Sequence, residues 1–306
     1  MLSALLLLMF AAPHAARIGD KPIITSASSA RIGTNIDGPS LIKVPAWISH
    51  PLGKYYLYFA NHKGVYIRLA YADQIQGPWK IYEPGTLQLD QVPACHDHIA
   101  SPDVHIDEAT RQIRMYFHCP AGGAGVDISI QKSLVAFSAD GLHFKSSGTL
   151  LGPAYYRVFR WRDNYYAICW GGQLLKSKDG ISPFDPGPDL VPADNGRTLR
   201  HAAVYMHGDT LSVFYSRIGD EPERILVSQV KLTGDWTKWK ASPPQTVLQP
   251  ERDYEGGSLP LRPSVIGDAP GRVRQLRDPC IFEDDGHLYL LYSVAGESGI
   301  ALAELK

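Results

Sequence analysis

One strand pattern occurs five times along the chain, and it constrains the fold more than any other feature. The first copy is Gly53-Lys54-Tyr55-Tyr56-Leu57-Tyr58-Phe59, and the others run over residues 112–117, 164–168, 209–215 and 286–292. Aromatic and β-branched runs of this length behind a turn signal read as strands. Self-similarity at a period of about 40 to 50 residues is the signature of a propeller built from radial blades. Each run follows a short apolar strand that begins near Asp37, Asp103, Arg157, His201 or Asp278, so each copy is a hairpin. A third strand follows every hairpin, over residues 65–72, 133–138, 174–177, 225–232 and 300–305. Trp79-Lys80-Ile81-Tyr82, Phe144-Lys145 and residues 236–239 predict fourth strands, reached in two copies through Ser138-Ala139-Asp140-Gly141 and Ser177-Lys178-Asp179-Gly180. The last copy ends at Lys306 without a fourth strand, and Pro22-Ile23-Ile24-Thr25 is expected to supply it, closing the ring and removing an exposed edge. The expectation is an all-β chain: a single five-bladed β-propeller over residues 17–306, with surface loops at 182–192 and 260–271.

Composition agrees where it bears on this. The 16 Tyr, 28 Gly and 23 Pro favour strands and turns over helices. With 30 basic against 31 acidic side chains, no global field draws the chain to nucleic acid or an anionic membrane, and neither is expected as a partner. The apolar run at residues 2–12 is too short to span a bilayer and sits where a secretory signal would. Residues 1–16 are therefore read as a signal peptide and the protein as secreted or periplasmic. Cys95, Cys119, Cys169 and Cys280 show no C-x-x-C spacing, which argues against a zinc ribbon. The sequence leaves their disulfide state and the oligomeric state open.

In a propeller the starts of the inner strands, the loops entering them and the turns after the second strands surround one axis. Inner-strand starts place Asp37, Asp103, Tyr156, Arg157, His201, Arg277 and Asp278 there. Turns after second strands add His62, His118, Trp170, Arg217, Glu221 and Glu297, and entering loops add His98 and Glu255. A single Asp beside Pro or Gly is most often a turn former. Three blades repeating it would converge three carboxylates on the axis. Glycosidic bond hydrolysis needs two carboxyl groups whose environments push their pKa values apart, and Tyr and Trp offer faces for sugar rings. Asp37, Asp103, His201, Glu255 and Asp278 are the catalytic candidates; the others named here are candidates for substrate binding, with no protein ligand set for a metal. No Gly-rich phosphate loop, G-x-S-x-G elbow or H-E-x-x-H motif occurs.

Residues 30–306 resemble the five-bladed glycoside hydrolases, the group of family 43 arabinanases and xylosidases, family 32 fructosidases and family 117 neoagarobiose hydrolases. The resemblance rests on Asp37-Gly38-Pro39-Ser40, on Ala100-Ser101-Pro102-Asp103-Val104-His105, and on Arg277-Asp278-Pro279 before the last Tyr-rich run. It implies that Asp37 is a general base or nucleophile. The family 43 pattern has an Asp on the third inner strand and an acid Glu on the fourth, where this chain has Tyr156-Arg157 and Arg200-His201. His201 is similar in place to the histidine proposed as acid in family 117; Glu255 is the other candidate acid. A carbohydrate substrate is expected, acidic or sulfated sugars included. No cofactor is required, though the resemblance admits a structural calcium near the axis. Two other readings stand beside hydrolysis: a sugar-binding propeller without catalysis, and a polysaccharide lyase with Tyr156 or a histidine as base and Arg157 neutralising a uronate.

Overall fold

The computed structural model describes residues 14–123 and 127–306, and five antiparallel sheets account for nearly all of its regular structure. In chain order the first sheet holds Asp37–Lys43, Tyr55–Ala60, Tyr66–Ala72 and Lys80–Gln88. The second holds Ala100–Asp107, Gln112–Pro120 and Gln131–Ser138, edged by Lys145–Ser146 and Gly152–Pro153. The third holds Arg157–Trp161, Asn164–Ile168, Gln173–Ser177 and Asp185–Asp189; the fourth holds Thr198–His207, Thr210–Ile218, Ile225–Lys231 and Gln245–Leu248. The fifth holds Arg277–Asp284, His287–Ser293 and Gly299–Leu305. First strands of blades 1 and 2, 3 and 4, 4 and 5, and 5 and 1 pack on one another around the axis. This is the expected five-bladed β-propeller, and among the described residues there is no α-helix.

Why the second strands are apolar on both faces follows from the packing. Tyr56 and Tyr58 of blade 1 join Ile113, Met115 and Phe117 of blade 2 in one core cluster, while Tyr55, Leu57 and Phe59 turn the other way, against Leu291 and Leu302 of blade 5. Alternate residues of a strand face opposite ways, and in a propeller both ways lead to a neighbouring blade. Two tyrosines add a latch. The Tyr58 hydroxyl donates to the Gly141 carbonyl at 2.8 Å and that of Tyr116 to the Gly180 carbonyl at 3.0 Å, each reaching the turn before the fourth strand of the next blade.

Ring closure departs from the expectation. Ile24–Thr25 does pair with Gly299–Leu305, but the outer strand of blade 5 is Ala15–Ile18, in register from Ala15 opposite Leu305 to Ile18 opposite Leu302. The boundary expected after residue 16 thus falls inside a strand of the propeller. Residues 1–13, which carry most of the expected signal peptide, lie outside the described residues. Two further differences are local. Trp236–Lys238 is a 3₁₀ turn rather than a strand, because Asp235 caps it by accepting from Thr237 N–H, and Gln245–Leu248 takes the outer position. The loop expected at 182–192 contains the outer strand of blade 3, Asp185–Asp189.

A bulge recurs at the mouth of four blades. Pairing slips between Asp37 and Ser40, Ala100 and Asp103, Leu199 and Ala202, and Arg277 and Cys280. Gly38, Ser101 and Asp278 hold φ of +58°, +52° and +48° within these slips. Bulges bend a strand and re-aim its side chains, so the register is fixed by the slip. Asp37 is level with Ala100, Leu199 and Arg277, and Asp103 is level with Ser40 and Cys280.

Candidate functional site

The mouths of the five blades enclose a cavity of about 260 Å³. Blade 1 contributes His62 and Lys63, and the segments around blade 2 contribute His98, Ile128 and Gln131. Tyr155 and Trp170 come from blade 3, Arg200, His201 and Ile218 from blade 4, and Ile266, Gly267, Asp268 and Glu297 from blade 5 and the loop before it. The loop expected at 260–271 is therefore part of the pocket wall. Asp37, 4 % exposed, lies behind this lining, its carboxylate grouped with His62 and Glu297 so that one ligand atom of each falls within 4.8 Å of the others.

The charges are arranged in a chain. Glu297 accepts from Arg277 Nη1 at 2.6 Å, from Asn35 Nδ2 at 2.6 Å and from Ala269 N–H at 3.3 Å. Arg277 Nε lies 3.2 Å from Glu223, which also accepts from Arg200 Nε at 2.8 Å and Ser216 Oγ at 2.7 Å. Burial alone would raise the Glu223 carboxyl, but Arg200 and Arg277 hold it below its ordinary value. Arg200 is consumed by Glu223 and by the carbonyls of Val265 and Gly267, and Lys63 by Asp268. The arginine-rich mouth thus serves its own carboxylates, which removes the argument for an acidic or sulfated sugar.

Asp37 is the exception. Burial, with the Glu297 charge adding to it against Arg68 and Arg277, pushes its carboxyl up to about 8, and its Oδ2 has no hydrogen-bond partner. An ionised base at neutral pH is not what this environment favours. The histidines move the other way. Burial lowers His62, His98, His118 and His201, the last two well below the ordinary value, with Arg157 and neighbouring imidazoles adding to it. Each shift disfavours the charged imidazolium. His201 Nδ1 contacts Asp278 Oδ1, whose other oxygen accepts from Ser293 Oγ at 2.9 Å, and His201 Nε2 is buried without a partner. Tyr155 lies between His118 and His201, with ring centroids 3.9 and 4.4 Å away.

Several sequence candidates are not at the pocket. Glu255 is 0 % exposed and accepts from Arg17 Nε at 2.7 Å, Arg17 Nη2 at 2.9 Å, Tyr292 Oη at 2.9 Å and the N–H groups of Glu251 and Arg252. Burial would raise it, but Arg17 and those backbone donors hold it below its ordinary value, so it is a structural clamp and not an acid. Asp103, the first paired residue after the bulge, accepts from Val158 N–H and pairs with His105, lining a second cavity farther along the inner strands. Tyr156 is core, its hydroxyl donating to the Leu151 carbonyl. Arg157 Nη1 donates to the carbonyls of Ser101 and Tyr156, and Arg217 is held by Asp220. Glu221 is exposed and absent from the lining. Asp278 and Arg277 contact His201 and Glu297, and the His118 ring packs on Tyr155. Tyr155, Lys63 and Asp268, which line the pocket, were not among the sequence candidates. Aligning the blades on Pro39, Pro102 and Pro279 instead of on their Asp residues gives the observed register, and with it the level of Asp37.

A disulfide joins Cys95 to Cys119 and staples the loop bearing His98 to the strand bearing His118. Cys169 and Cys280 are buried thiols pushed up to about 12 by burial. The donor set at Asp37, His62 and Glu297 is one imidazole and two carboxylates, whereas calcium prefers an all-oxygen shell of six to eight ligands. Among the described residues no helix is long and apolar enough to cross a membrane.

No protein-family model matches the chain. Solved structures of the same fold include a GH43 β-xylosidase/α-arabinofuranosidase from a compost microbial metagenome, solved with xylotriose, with a TM-score of 0.63 and 14 % identity over 96 % of this chain and 95 % of that one. A GH43 enzyme from Xanthomonas citri, also solved with xylotriose, gives 0.62 and 14 % over 93 % and 89 %. An N-acetylgalactosamine deacetylase from F. plautii, solved with blood group B trisaccharide, gives 0.60 and 11 % over 95 % of each chain. These share the five-bladed propeller of the glycoside hydrolases. In sequence, the chain is 40 % identical over 301 residues to an uncharacterized protein of Acanthamoeba polyphaga mimivirus, covering 89 % of this chain and 83 % of the relative. The chain belongs to the family of that mimivirus protein, built on the propeller fold it shares with the family 43 glycoside hydrolases.

Proposed function

We propose that the axial pocket takes a sugar residue at the end of a glycan and that the chain hydrolyses a glycosidic bond there. The observation that carries this reading is the pairing of a buried, unpartnered His201 Nε2, whose Nδ1 is held by Asp278, with the Asp37–Glu297 carboxyl pair at the same pocket. Nδ1–H directed at a carboxylate fixes the tautomer and leaves the Nε2 lone pair to accept a proton from an attacking water. The leaving oxygen takes its proton from Asp37, whose burial beside Glu297 favours the protonated carboxyl. Trp170 and Tyr155 offer ring faces to the sugar, and a cavity of about 260 Å³ suits a chain end better than a long chain laid across. The fold shared with xylosidases supports the same substrate class. The Cys95–Cys119 disulfide supports export to an oxidising compartment.

Turnover of a glycan and aryl-glycoside panel tests this. His201→Asn and Asp278→Asn should each lower kcat by about 10²- to 10⁴-fold, whereas Trp170→Ala should act mainly on KM. Sugar affinity without turnover across the panel would make the chain a binding module. Unsaturated uronate products would make it a lyase, although Tyr156 and Arg157, the residues for that chemistry, are turned into the core.

A further inference from the structure

We propose that Asp37, His62 and Glu297 bind a divalent cation of the Zn²⁺ or Mn²⁺ class at the floor of the axial pocket. The three come from separate segments, an inner-strand start, the turn after a second strand and a turn of the last blade, yet one donor atom of each lies within 4.8 Å of the others. Three donors bound at about 2.1 Å to one tetrahedral ion lie about 3.4 Å apart, so closure of up to about 1.4 Å completes the set.

Two observations independent of that clustering point to a ligand. Asp37 is buried and its Oδ2 has no partner, an acceptor kept away from water with nothing to accept from. Asn35 ties together the segments that carry the other two ligands: its Nδ2 donates to Glu297 Oε2 at 2.6 Å while its Oδ1 accepts from the His62 backbone N–H at 2.8 Å. Outer-shell partners of this kind fix ligand orientation in metal sites. Arg277 engages Glu297 Oε1, and Arg68 spends its Nη1 on the carbonyls of Asn35 and Ala60, so neither guanidinium reaches Asp37 Oδ2 as a hydrogen-bond donor. One nitrogen with two carboxylates suits a borderline transition ion better than calcium or magnesium. His62 and Glu297 also line the cavity, so the ion would keep open positions toward substrate.

The inference deepens the hydrolytic reading and depends on it only for the ion's role, which is to polarise the leaving oxygen or the water in place of the Asp37 proton, Asp37 being a ligand when the ion is bound. Binding stands apart from turnover. The chelator-treated, dialysed protein is titrated with ZnCl₂, MnCl₂ and CaCl₂ by calorimetry, and bound metal is counted by mass spectrometry after gel filtration. One Zn²⁺ or Mn²⁺ per chain is expected, at least 10-fold tighter than Ca²⁺, with at least 100-fold weakening in Asp37→Asn and His62→Ala and 10- to 100-fold weakening in Asn35→Ala. Circular dichroism and Tm identify any variant that fails to fold, and Asn35→Ala, which leaves all three ligand residues in place and removes only the hydrogen bonds that position them, keeps the test decisive. No stoichiometric binding, equal binding in folded variants, or preference for Ca²⁺ overturns the proposal. Turnover that survives complete metal removal overturns the ion's catalytic role but not hydrolysis; tight binding without turnover does the reverse.

Discussion

At the scale of single residues, buried carboxylates in this molecule differ by what surrounds them. Glu255 has two guanidinium nitrogens, a phenol and two backbone donors; Asp37 has an oxygen with none. The first is a fastener and the second belongs to the site. Replacing Glu255 by Gln should therefore cost stability and not chemistry: about 3 kcal/mol, the scale of breaking a buried pair, with kcat retained in the folded fraction. The pH dependence has a definite sign. Glu255 is held below its ordinary value, so its stabilisation is fully present above the unfolded carboxyl value of about 4.3 and is lost as pH falls through the folded value. Denaturant midpoints at pH 7 should separate wild type from Glu255→Gln, and the gap should shrink on acidification below about pH 4. A kcat loss without a stability loss would return Glu255 to the list of catalysts.

At the scale of elements, the repeated unit is the Tyr-rich second strand, apolar toward both neighbours and latched by a hydroxyl to the next blade. Tyr58→Phe and Tyr116→Phe each remove one buried donor and leave a turn carbonyl of Gly141 or Gly180 short of it. Each should destabilise by about 1 to 3 kcal/mol, and the two effects should add, since they act on different blade pairs. Equilibrium urea unfolding of the single and double variants measures this; no loss in either would mean that water replaces the latch. The bulges are the other recurrent element. They explain why a tally of Asp residues beside Pro misplaced Asp103. One slip puts it three residues down the strand from Asp37, about 10 Å at strand rise, and into the second cavity.

At the scale of the whole molecule, the ring is closed by Ala15–Ile18 on Gly299–Leu305, and Arg17 in that strand carries the ion pair to Glu255. Removing residues 1–18 should therefore do two things together: expose the last strand as an unprotected edge and strand a buried carboxylate. The truncated chain is expected to lose Tm relative to wild type and to self-associate through its free edge. Size-exclusion chromatography with thermal unfolding reads both, and a monodisperse truncation with unchanged Tm would show that closure contributes nothing.

What the sequence determined by itself was what is local and repeated. Five turn-plus-Tyr runs fix five blades, because a strand apolar on both faces has to be covered on both, and His62, His98, Trp170 and Glu297 follow from position in the repeat. What only the tertiary structure decided was everything set by register and by partners distant in the chain. Bulges at the blade mouths chose Asp37 over Asp103, and at blade 3 the pocket took Tyr155 while Tyr156 went into the core. Arg17, 238 residues from Glu255, turned a candidate acid into a clamp. Asp278 reached His201 across 77 residues, and Glu223, Arg200 and Arg277 absorbed one another's charge. A carboxylate's role depends on which donors lie within about 3 Å, and that distance is set by the fold rather than by the neighbours in sequence.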